Sequence, residues 1–194
     1  GYWYGPQNAI LVVAGDITAA ELRPLAEDIY GSIEPTADLE ERVWPEVQPL
    51  AESMTLTHSD PKVRQEEWDQ YWQSTSYSVN TETLEPHALD LAAQILGGGR
   101  TSRLYQELVE EQGVAVSAYA FSWTDLRATG LFGMGASPAM GVDLETVSEA
   151  AHAVLADFIE NGPTEEELAR AQSSMIASSI FQRDNQASMA QLYG

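Results

Sequence analysis

Three consecutive glycines at residues 97–99 constrain the fold of this chain more than any other feature of its sequence. Glycine has no Cβ, so this segment can turn sharply and can let another part of the backbone approach closely. Apolar residues at helical spacing lead up to the glycines, and Leu104 and Leu108 share one helix face after them. Thr101 or Ser102 can cap that second helix at its start. The sequence therefore predicts two helices joined by a tight turn that contacts a neighbouring segment.

The first part of the chain predicts one strand followed by one helix. Residues 9–14 form a continuous apolar run with β-branched side chains, which is typical of a strand buried on both faces. Thr18 and Glu21 have the spacing of a capping box, so a helix begins there and ends at Gly31. Asp16 fits the turn between strand and helix, and a ribose or metal ligand is the alternative interpretation. Together these residues form one β-α unit.

Residues 36–51 predict a linker, because prolines and acidic residues fill them and no periodicity is present. The patterns that follow predict the order β-β-α-α-β-β-α-α. The four strands are predicted at residues 54–58, 67–77, 114–121 and 129–136. The last two alternate in polarity and are joined by a short loop, which predicts an antiparallel hairpin. The predicted fold class is α+β, a two-layer sandwich in which helices pack on one face of an antiparallel or mixed sheet.

Two sets of residues in the predicted strands carry further information. The aromatic residues of the second strand form either part of the core of a half-buried sheet or a stacking surface for a ligand: Trp68, Tyr71 and Trp72. We expect these aromatic residues to form part of the core.

The last strand carries three glycines, which indicate a thin strand packed closely under other groups: Gly130, Gly133 and Gly135.

The charge of the chain limits its partners. The 30 Asp and Glu residues against 9 Lys and Arg residues give a formal net charge of -21 at pH 7. This charge repels phosphate backbones and anionic lipid, so no binding to nucleic acid or to a membrane surface is expected. It fits a soluble protein adapted to a salty setting or belonging to an acidic proteome, and attraction of a basic partner is the alternative. The absence of cysteine excludes disulfides and thiolate ligands, no stretch has the length of a transmembrane helix, and the compartment stays undecided.

The residue pattern contains no complete active site. His58, His87 and His152 fall in three separate segments without the i, i+4 spacing of a zinc-binding helix. No serine lies in a G-x-S-x-G motif. A phosphate site at residues 97–102 is the alternative for the glycine turn, but these residues follow a helix and lack both the Walker lysine and the G-x-G-x-x-G spacing. We therefore expect no catalytic residue, metal ligand or cofactor in this chain.

Four segments of the chain are similar to one family of peptidases. They are residues 4–16 (YGPQNAILVVAGD), 29–33 (IYGSI), 96–108 (LGGGRTSRLYQEL) and 164–171 (TEEELARA). Together they resemble the pitrilysin/insulinase-type zinc metallopeptidases, which include the subunits of the mitochondrial processing peptidase. The matches follow the order of the family from residue 2 to about residue 180.

The resemblance implies a chain of paired α/β domains with a LuxS/processing-peptidase-like fold. In this family the zinc motif H-x-x-E-H and a downstream glutamate ligand precede the segment that corresponds to residues 4–16. Residues 1–35 are then the last β-α unit of the zinc-bearing domain, residues 36–51 the linker, and residues 52–194 a second, non-catalytic domain truncated at its C-terminus. The family's chemistry is attack of zinc-bound water on a peptide bond, so zinc is expected in the parent protein and not in this fragment.

The resemblance also implies partners and contact residues. The partners are a peptide substrate, the preceding zinc-bearing domain, and a second similar half in a homo- or heterodimer. Substrate contacts are expected from the glycine turn and the residues after it: Gly97, Gly98, Gly99, Arg100, Ser102 and Arg103. The family's non-zinc halves often carry an arginine and a tyrosine where this chain has Val109 and Val116, which favours the rear half of a zinc-bearing subunit. An inactive structural or assembly subunit is the alternative.

Overall fold

The computed structural model describes residues 3–193. Residues 1, 2 and 194, which belong to the first and last predicted segments, lie outside the described residues. The chain forms two compact units, one comprising the residues up to Pro45 together with those from Ser174 onward, and the other comprising Glu46–Ser173. The assignment of residues 1–35 to a preceding domain stays a prediction.

The first unit contains the helix predicted near the start of the chain. Helix α1, Ala19–Tyr30, begins after Thr18 and ends at Gly31. Its capping box is complete, because the Glu21 N–H donates to Thr18 Oγ1 over 3.3 Å and the Thr18 N–H donates to Glu21 Oε2 over 2.9 Å. Pro24 is inside α1, so the helix forms without the hydrogen bond that an N–H at this position would donate to the Ala20 carbonyl. The prediction of α1 is confirmed.

Two of the predicted strands are wrong. Residues 9–14 and 54–58 form no strand in the structure. Large apolar side chains in both segments are exposed, with 82% of Ile10 and 88% of Met54 accessible to solvent. A strand is stable only when a neighbouring strand satisfies its backbone, and neither segment has such a partner within residues 3–193. An apolar run identifies a segment that can form a strand, but it does not identify the partner.

The second unit is built around a three-stranded sheet. Strand β1 is Trp68–Ser74, β2 is Ala115–Trp123 and β3 is Gly130–Pro138, and their order across the sheet is β1-β3-β2. Both pairings are antiparallel, so the predicted hairpin of β2 and β3 is confirmed. The described strands form no parallel pair, and β3 is the central strand.

Five helices complete the described chain after β1. They are α2 (Glu85–Gly97), α3 (Arg103–Tyr105, continued by a π-helical segment Gln106–Glu111), α4 (Leu144–Asn161), α5 (Glu165–Arg183) and α6 (Gln186–Tyr193). A second capping box precedes α5: Thr164 and Glu167 exchange hydrogen bonds of 2.8 to 3.2 Å. Within residues 3–193, no helix is both long and apolar enough to cross a membrane.

The core of the second unit lies between one face of the sheet and the helices. Phe132, Met134 and Ala136 project from alternate positions of β3 and are buried. The helical side chains that complete this core are Leu96, Leu104, Leu108, Val147 and Ala151. The predicted α+β arrangement, with helices on one face of a sheet, is therefore confirmed. The intervening positions of the strands point away from the helices.

Candidate functional site

The glycine turn, residues 97–102, connects α2 to α3. Gly97 ends α2 directly against β2, where a Cβ would overlap the backbone nitrogen of Ala120. Gly99 has a φ of +117°, in a region that residues with a side chain rarely adopt. The predicted tight turn and its close approach to a neighbouring segment are both confirmed, and that segment is β2.

Ser102 closes the turn from the inside. Its buried hydroxyl donates to the Gly99 carbonyl over 2.6 Å, and its backbone N–H donates to the same oxygen over 3.0 Å. The Gln106 side chain donates to the Arg100 carbonyl over 2.6 Å. Ser102 is the residue before α3, as predicted, but its hydroxyl turns back to the glycine instead of accepting a helix N–H. These bonds hold the turn in one conformation.

Arg103 points into the joint between α4 and α5. Its Nε and Nη2 donate to the two carboxylate oxygens of Glu167 over 2.7 and 2.8 Å. Its Nη1 donates to Asp157 over 2.9 Å, and Nη2 also donates to the Gly162 carbonyl over 2.9 Å. The bonds from Arg103 lower the pKa of Glu167 to about 2, and the same contact raises the pKa of Arg103. Arg103 therefore anchors the glycine turn to the rest of the unit.

Arg100 is the exposed charge of the turn. Its Nη2 lies 3.0 Å from Glu110 Oε1, and both side chains are largely in solvent, so this ion pair contributes little to stability. The six residues predicted to contact substrate divide into two groups: Gly98, Gly99 and Arg100 are exposed, whereas Gly97, Ser102 and Arg103 hold the turn against its neighbours.

A polar cluster that the sequence analysis missed joins α2 to the segments that follow β1 and β2. The Tyr77 hydroxyl donates to Asp90 Oδ2 over 2.5 Å, and Thr124 Oγ1 donates to Asp90 Oδ1 over 2.8 Å. Burial, followed by the contact with Asp90, raises the pKa of Tyr77 to about 12. A cavity of about 220 Å³ adjoins the cluster and is lined in part by Asp90, Gln94 and Ser122. Asp90 is 13 positions from Tyr77 and 34 from Thr124, so no local spacing in the sequence reveals the cluster.

The three histidines do not fit a zinc site. His58 lies in a loop, while His87 Nδ1 on α2 is 3.1 Å from the Tyr77 hydroxyl. His152 on α4 lies with Nε2 2.5 Å from Gln70 Oε1. In the part of the chain that the structure describes, no group of three or more His, Cys, Asp or Glu residues could hold a metal ion. The donor set present in these residues does not match zinc, which requires convergent ligands.

The side of the sheet opposite the helices is aromatic. We use the name open sheet face for the side chains and glycines on this side: Glu67, Asp69, Tyr71, Tyr119, Phe121, Trp123, Gly133 and Gly135. Tyr71 and Trp123 are each 51% exposed. The core interpretation of the β1 aromatics is right for Trp68 and Trp72, which pack against the buried cluster, and wrong for Tyr71.

Two glycines of β3 allow the aromatic rings to lie across the strand. A Cβ on Gly133 would lie 2.5 Å from Phe121 Cζ and 3.1 Å from Tyr71 Cδ1, and one on Gly135 would overlap the phenol of Tyr119. The rings of Tyr119 and Phe121 are nearly parallel, with an angle of 24° and centroids 6.4 Å apart. The prediction of a thin strand packed closely under other groups is confirmed, and those groups are the rings.

Two carboxylates converge on one phenol at the edge of the open sheet face. The Tyr119 hydroxyl lies 3.1 Å from Glu67 Oε1 and is also hydrogen-bonded to Asp69 Oδ1. Burial raises the pKa of Tyr119 well above its usual range, and Asp69 adds to this effect. A protonated phenol has one hydrogen and donates to one carboxylate at a time. Neither carboxylate forms an ion pair with a Lys or Arg of residues 3–193.

The second unit is an α+β domain in which helices cover one face of a three-stranded antiparallel sheet. Residues 2–175 match the family described as the Peptidase M16 inactive domain, and the chain belongs to that family. The resemblance to the pitrilysin/insulinase-type metallopeptidases is thereby confirmed. The chain is also 26% identical, over 178 residues, to a Bacillus subtilis protein described as "Uncharacterized zinc protease YmxG". This match covers 89% of the chain and 39% of the relative.

Solved structures share the fold. A protease from Helicobacter pylori aligns with a TM-score of 0.78 and 22% identity, over 99% of this chain and 46% of that one. A peptidase M16 inactive domain from Pseudomonas fluorescens aligns with a TM-score of 0.58 and 22% identity, over 84% of this chain and 38% of that one. The chain therefore spans less than half the length of these relatives.

Proposed function

We propose that this chain is the non-catalytic domain of a zinc endopeptidase and that it helps to enclose a peptide substrate. The observation that carries the proposal is the open sheet face, which the helices of the second unit leave uncovered. A sheet with helices on one side only can line a chamber with the other side. The Bacillus subtilis relative is named as a zinc protease, which supports the assignment to a peptidase.

The proposal places the zinc in the parent protein, outside this chain. The histidines of the second unit lie on separate elements and do not converge, so no catalytic step is assigned to them. The preceding domain would supply the metal and the general base, and this chain would supply walls and contacts. A second similar half, in the same chain or in a dimer, would complete the enclosure.

We assign the substrate contacts of the glycine turn to its exposed part. Gly98, Gly99 and Arg100 are accessible, and the bonds of Ser102 and the anchor at Arg103 hold them in place. Exposed glycine backbone can approach an extended peptide closely because no side chain intervenes. In this proposal Arg100 contacts the peptide directly, whereas Gly97, Ser102 and Arg103 position the turn.

The test compares the parent protein, this chain, and the preceding part of the parent extended through residue 35, so that the zinc-bearing domain of about 200 residues is complete. We expect the chain alone to contain no stoichiometric zinc and to cleave no peptide. The preceding part should hold the zinc, cleave slowly, and gain activity when the chain is added. One tightly held zinc per molecule of this chain, or full activity of the preceding part alone, would contradict the proposal.

The same experiment distinguishes the proposal from the structural alternative. A parent protein with no H-x-x-E-H motif and no bound zinc would be an inactive structural or assembly subunit. Val109 and Val116 have aliphatic side chains, so neither position supplies the charge or hydroxyl of the arginine and tyrosine found in non-zinc halves. This observation favours the zinc-bearing subunit.

A further inference from the structure

We propose that the two units of this chain rotate relative to each other about a hinge with two covalent connections. The chain passes from one unit to the other between Pro45 and Glu46, and again between Ser173 and Ser174. The first passage lies in the linker and the second lies inside helix α5. This inference goes beyond the proposed function, because it holds whether or not the parent protein cleaves peptides.

Helix α5 belongs to both units. It continues from Glu165 to Arg183 without interruption, although the boundary between the units falls within it. Its first turn is fixed in the second unit by the bond between Glu167 and Arg103, and Ala171 is buried there. Among the described residues of α5, none after Ala171 is buried. Packing against the core of the second unit therefore ends just before the boundary.

The residue pattern of α5 is typical of a helix that bridges two bodies. Its apolar side chains are spread around the helix and form no single apolar stripe. A helix of this kind has no face that buries it along its whole length against one core. Its two ends can therefore be held by different units while its middle remains accessible to solvent.

A pair of serines weakens α5 at the boundary. The Ser173 hydroxyl donates to the Ala169 carbonyl over 2.8 Å. A serine that binds the carbonyl one turn earlier competes with the helix for that oxygen, and this arrangement often bends helices. Serine also has a lower helix propensity than alanine. The helix should therefore bend most readily at Ser173 and Ser174, where its packing has already ended.

Two glutamine side chains fix the ends of the linker, each within its own unit. In the first unit, Gln7 Oε1 accepts from the Thr36 N–H over 3.2 Å, and Gln7 Nε2 donates to Thr36 Oγ1 over 3.0 Å. In the second unit, Gln73 Oε1 accepts from the Leu50 N–H over 2.8 Å, and its Nε2 donates to the Gln48 carbonyl over 3.3 Å. Each clamp holds backbone that would otherwise continue the linker.

The connecting part of the linker is then residues 37–47, which span at most about 40 Å when fully extended. One flexible connection permits rotation in any direction. Two connections with fixed ends restrict the motion to rotation about the line that joins them. An unbroken helix such as α5 also limits the amplitude, because it bends only slightly before its hydrogen bonds break. The arrangement therefore favours a small hinge rotation about one axis.

The experiment measures the distance between two spin labels by pulsed electron paramagnetic resonance. The chain has no cysteine, so labels attach only at introduced ones. Glu27→Cys on α1 and Glu149→Cys on α4 place one label at an exposed position of each unit. The reference pair Glu111→Cys/Glu149→Cys lies wholly within the second unit. We expect the distance distribution between the units to be about twofold broader than that of the reference pair.

Substitutions in α5 locate the bend. Ser173→Gly/Ser174→Gly should broaden the distribution between the units by about twofold, because glycine loosens the helix. Ser173→Ala/Ser174→Ala should narrow it, because alanine is the best helix former and removes the bond to Ala169. The matched control is the second serine pair of the same helix, Ser178 and Ser179, which lies within the first unit. The same changes there should leave the distribution unaltered.

A substitution in β1 tests the clamp on the linker. Gln73→Ala should broaden the distribution between the units, and it should increase hydrogen exchange at the Leu50 amide by about tenfold, because that N–H loses its acceptor. Gln73→Glu keeps the acceptor for Leu50 and should retain the protection. The control Gln70→Ala removes a neighbouring glutamine that contacts His152 within the second unit, and it should change neither measurement.

The outcomes separate this inference from the proposed function. A distribution between the units as narrow as that of the reference pair would show one rigid body and overturn the inference. Equal effects of the two serine pairs, or equal effects of Gln73→Ala and Gln70→Ala, would also overturn it. None of these measurements depends on zinc or on peptide cleavage, so failure of the hinge leaves peptide enclosure to be decided by the comparison with the parent protein.

Discussion

The ion pair between Arg103 and Glu167 should make the stability of the second unit depend on pH in the acidic range. The contact joins residues 64 positions apart, and both side chains are mostly buried. It lowers the pKa of Glu167 from 4.5 to about 2. At 1.36 kcal/mol per pH unit this lowering is equivalent to about 3 kcal/mol. Partial solvent screening reduces the expected contribution to about 2 kcal/mol.

The direction of the pH dependence follows from the lowered pKa. Between about pH 2 and pH 4.5, Glu167 is ionised in the native state but protonated in the unfolded chain. The stabilisation from the ion pair is therefore complete above about pH 4.5 and is lost as the pH falls towards about 2. The substitution Glu167→Gln removes the charge but keeps an amide that can accept from Arg103 and Thr164. We therefore expect the variant to be about 2 kcal/mol less stable than the parent chain at pH 7.

Urea unfolding followed by circular dichroism at several pH values measures this difference. The difference in the free energy of unfolding between the unsubstituted chain and Glu167→Gln should decrease as the pH falls from 4.5 to about 2. The neighbouring variant Glu166→Gln is the control, because Glu166 is exposed and its contact with Arg170 is long, at 3.5 Å. It should change stability by at most about 0.5 kcal/mol. A difference for Glu167→Gln that is absent at pH 7, or that persists unchanged at low pH, would refute the reasoning.

Three further predictions concern packing and the phenol of Tyr77. Gly97→Ala should destabilise the second unit by about 1–3 kcal/mol or prevent its folding, because the added Cβ overlaps the backbone of β2; thermal unfolding measures this loss. Met134→Ala should cost about 2–5 kcal/mol in urea unfolding, because Met134 is fully buried at the centre of the sheet. Asp90→Asn should lower the pKa of Tyr77 from about 12 towards its usual value of 10.0, although burial will keep it somewhat raised; a spectroscopic titration of phenolate, with Tyr77→Phe as the assignment control, detects the change.

The glycine turn shows how far the candidate site could be predicted from residues alone. Three glycines after one helical pattern and before another predict a tight turn and a close contact, and both are present. The same pattern does not distinguish Arg100, which is exposed, from Arg103, which binds Glu167. That difference depends on where α4 and α5 meet. The partner of Arg103 is distant in sequence, so no local spacing predicts it.

The open sheet face shows the same limit for the strands. Trp68, Tyr71 and Trp72 read alike in the sequence as aromatic residues of one strand. In the structure Trp68 and Trp72 face the core, whereas Tyr71 faces away from the helices. Alternation along β1 predicts that they divide between two faces. Which face is covered is decided by the helices that pack on it.

The sequence by itself determined the capped starts of α1 and α5, the antiparallel hairpin and the glycine turn. Each of these depends on contacts between residues close in the chain: the capping boxes at Thr18 and Thr164 join residues three positions apart. The tertiary structure alone decided that residues 9–14 and 54–58 stay out of the sheet, which partner Arg103 binds, and which aromatic residues remain exposed. The physical reason is that a strand, an ion pair or a buried face is stabilised by a partner, and an apolar or charged pattern does not identify that partner.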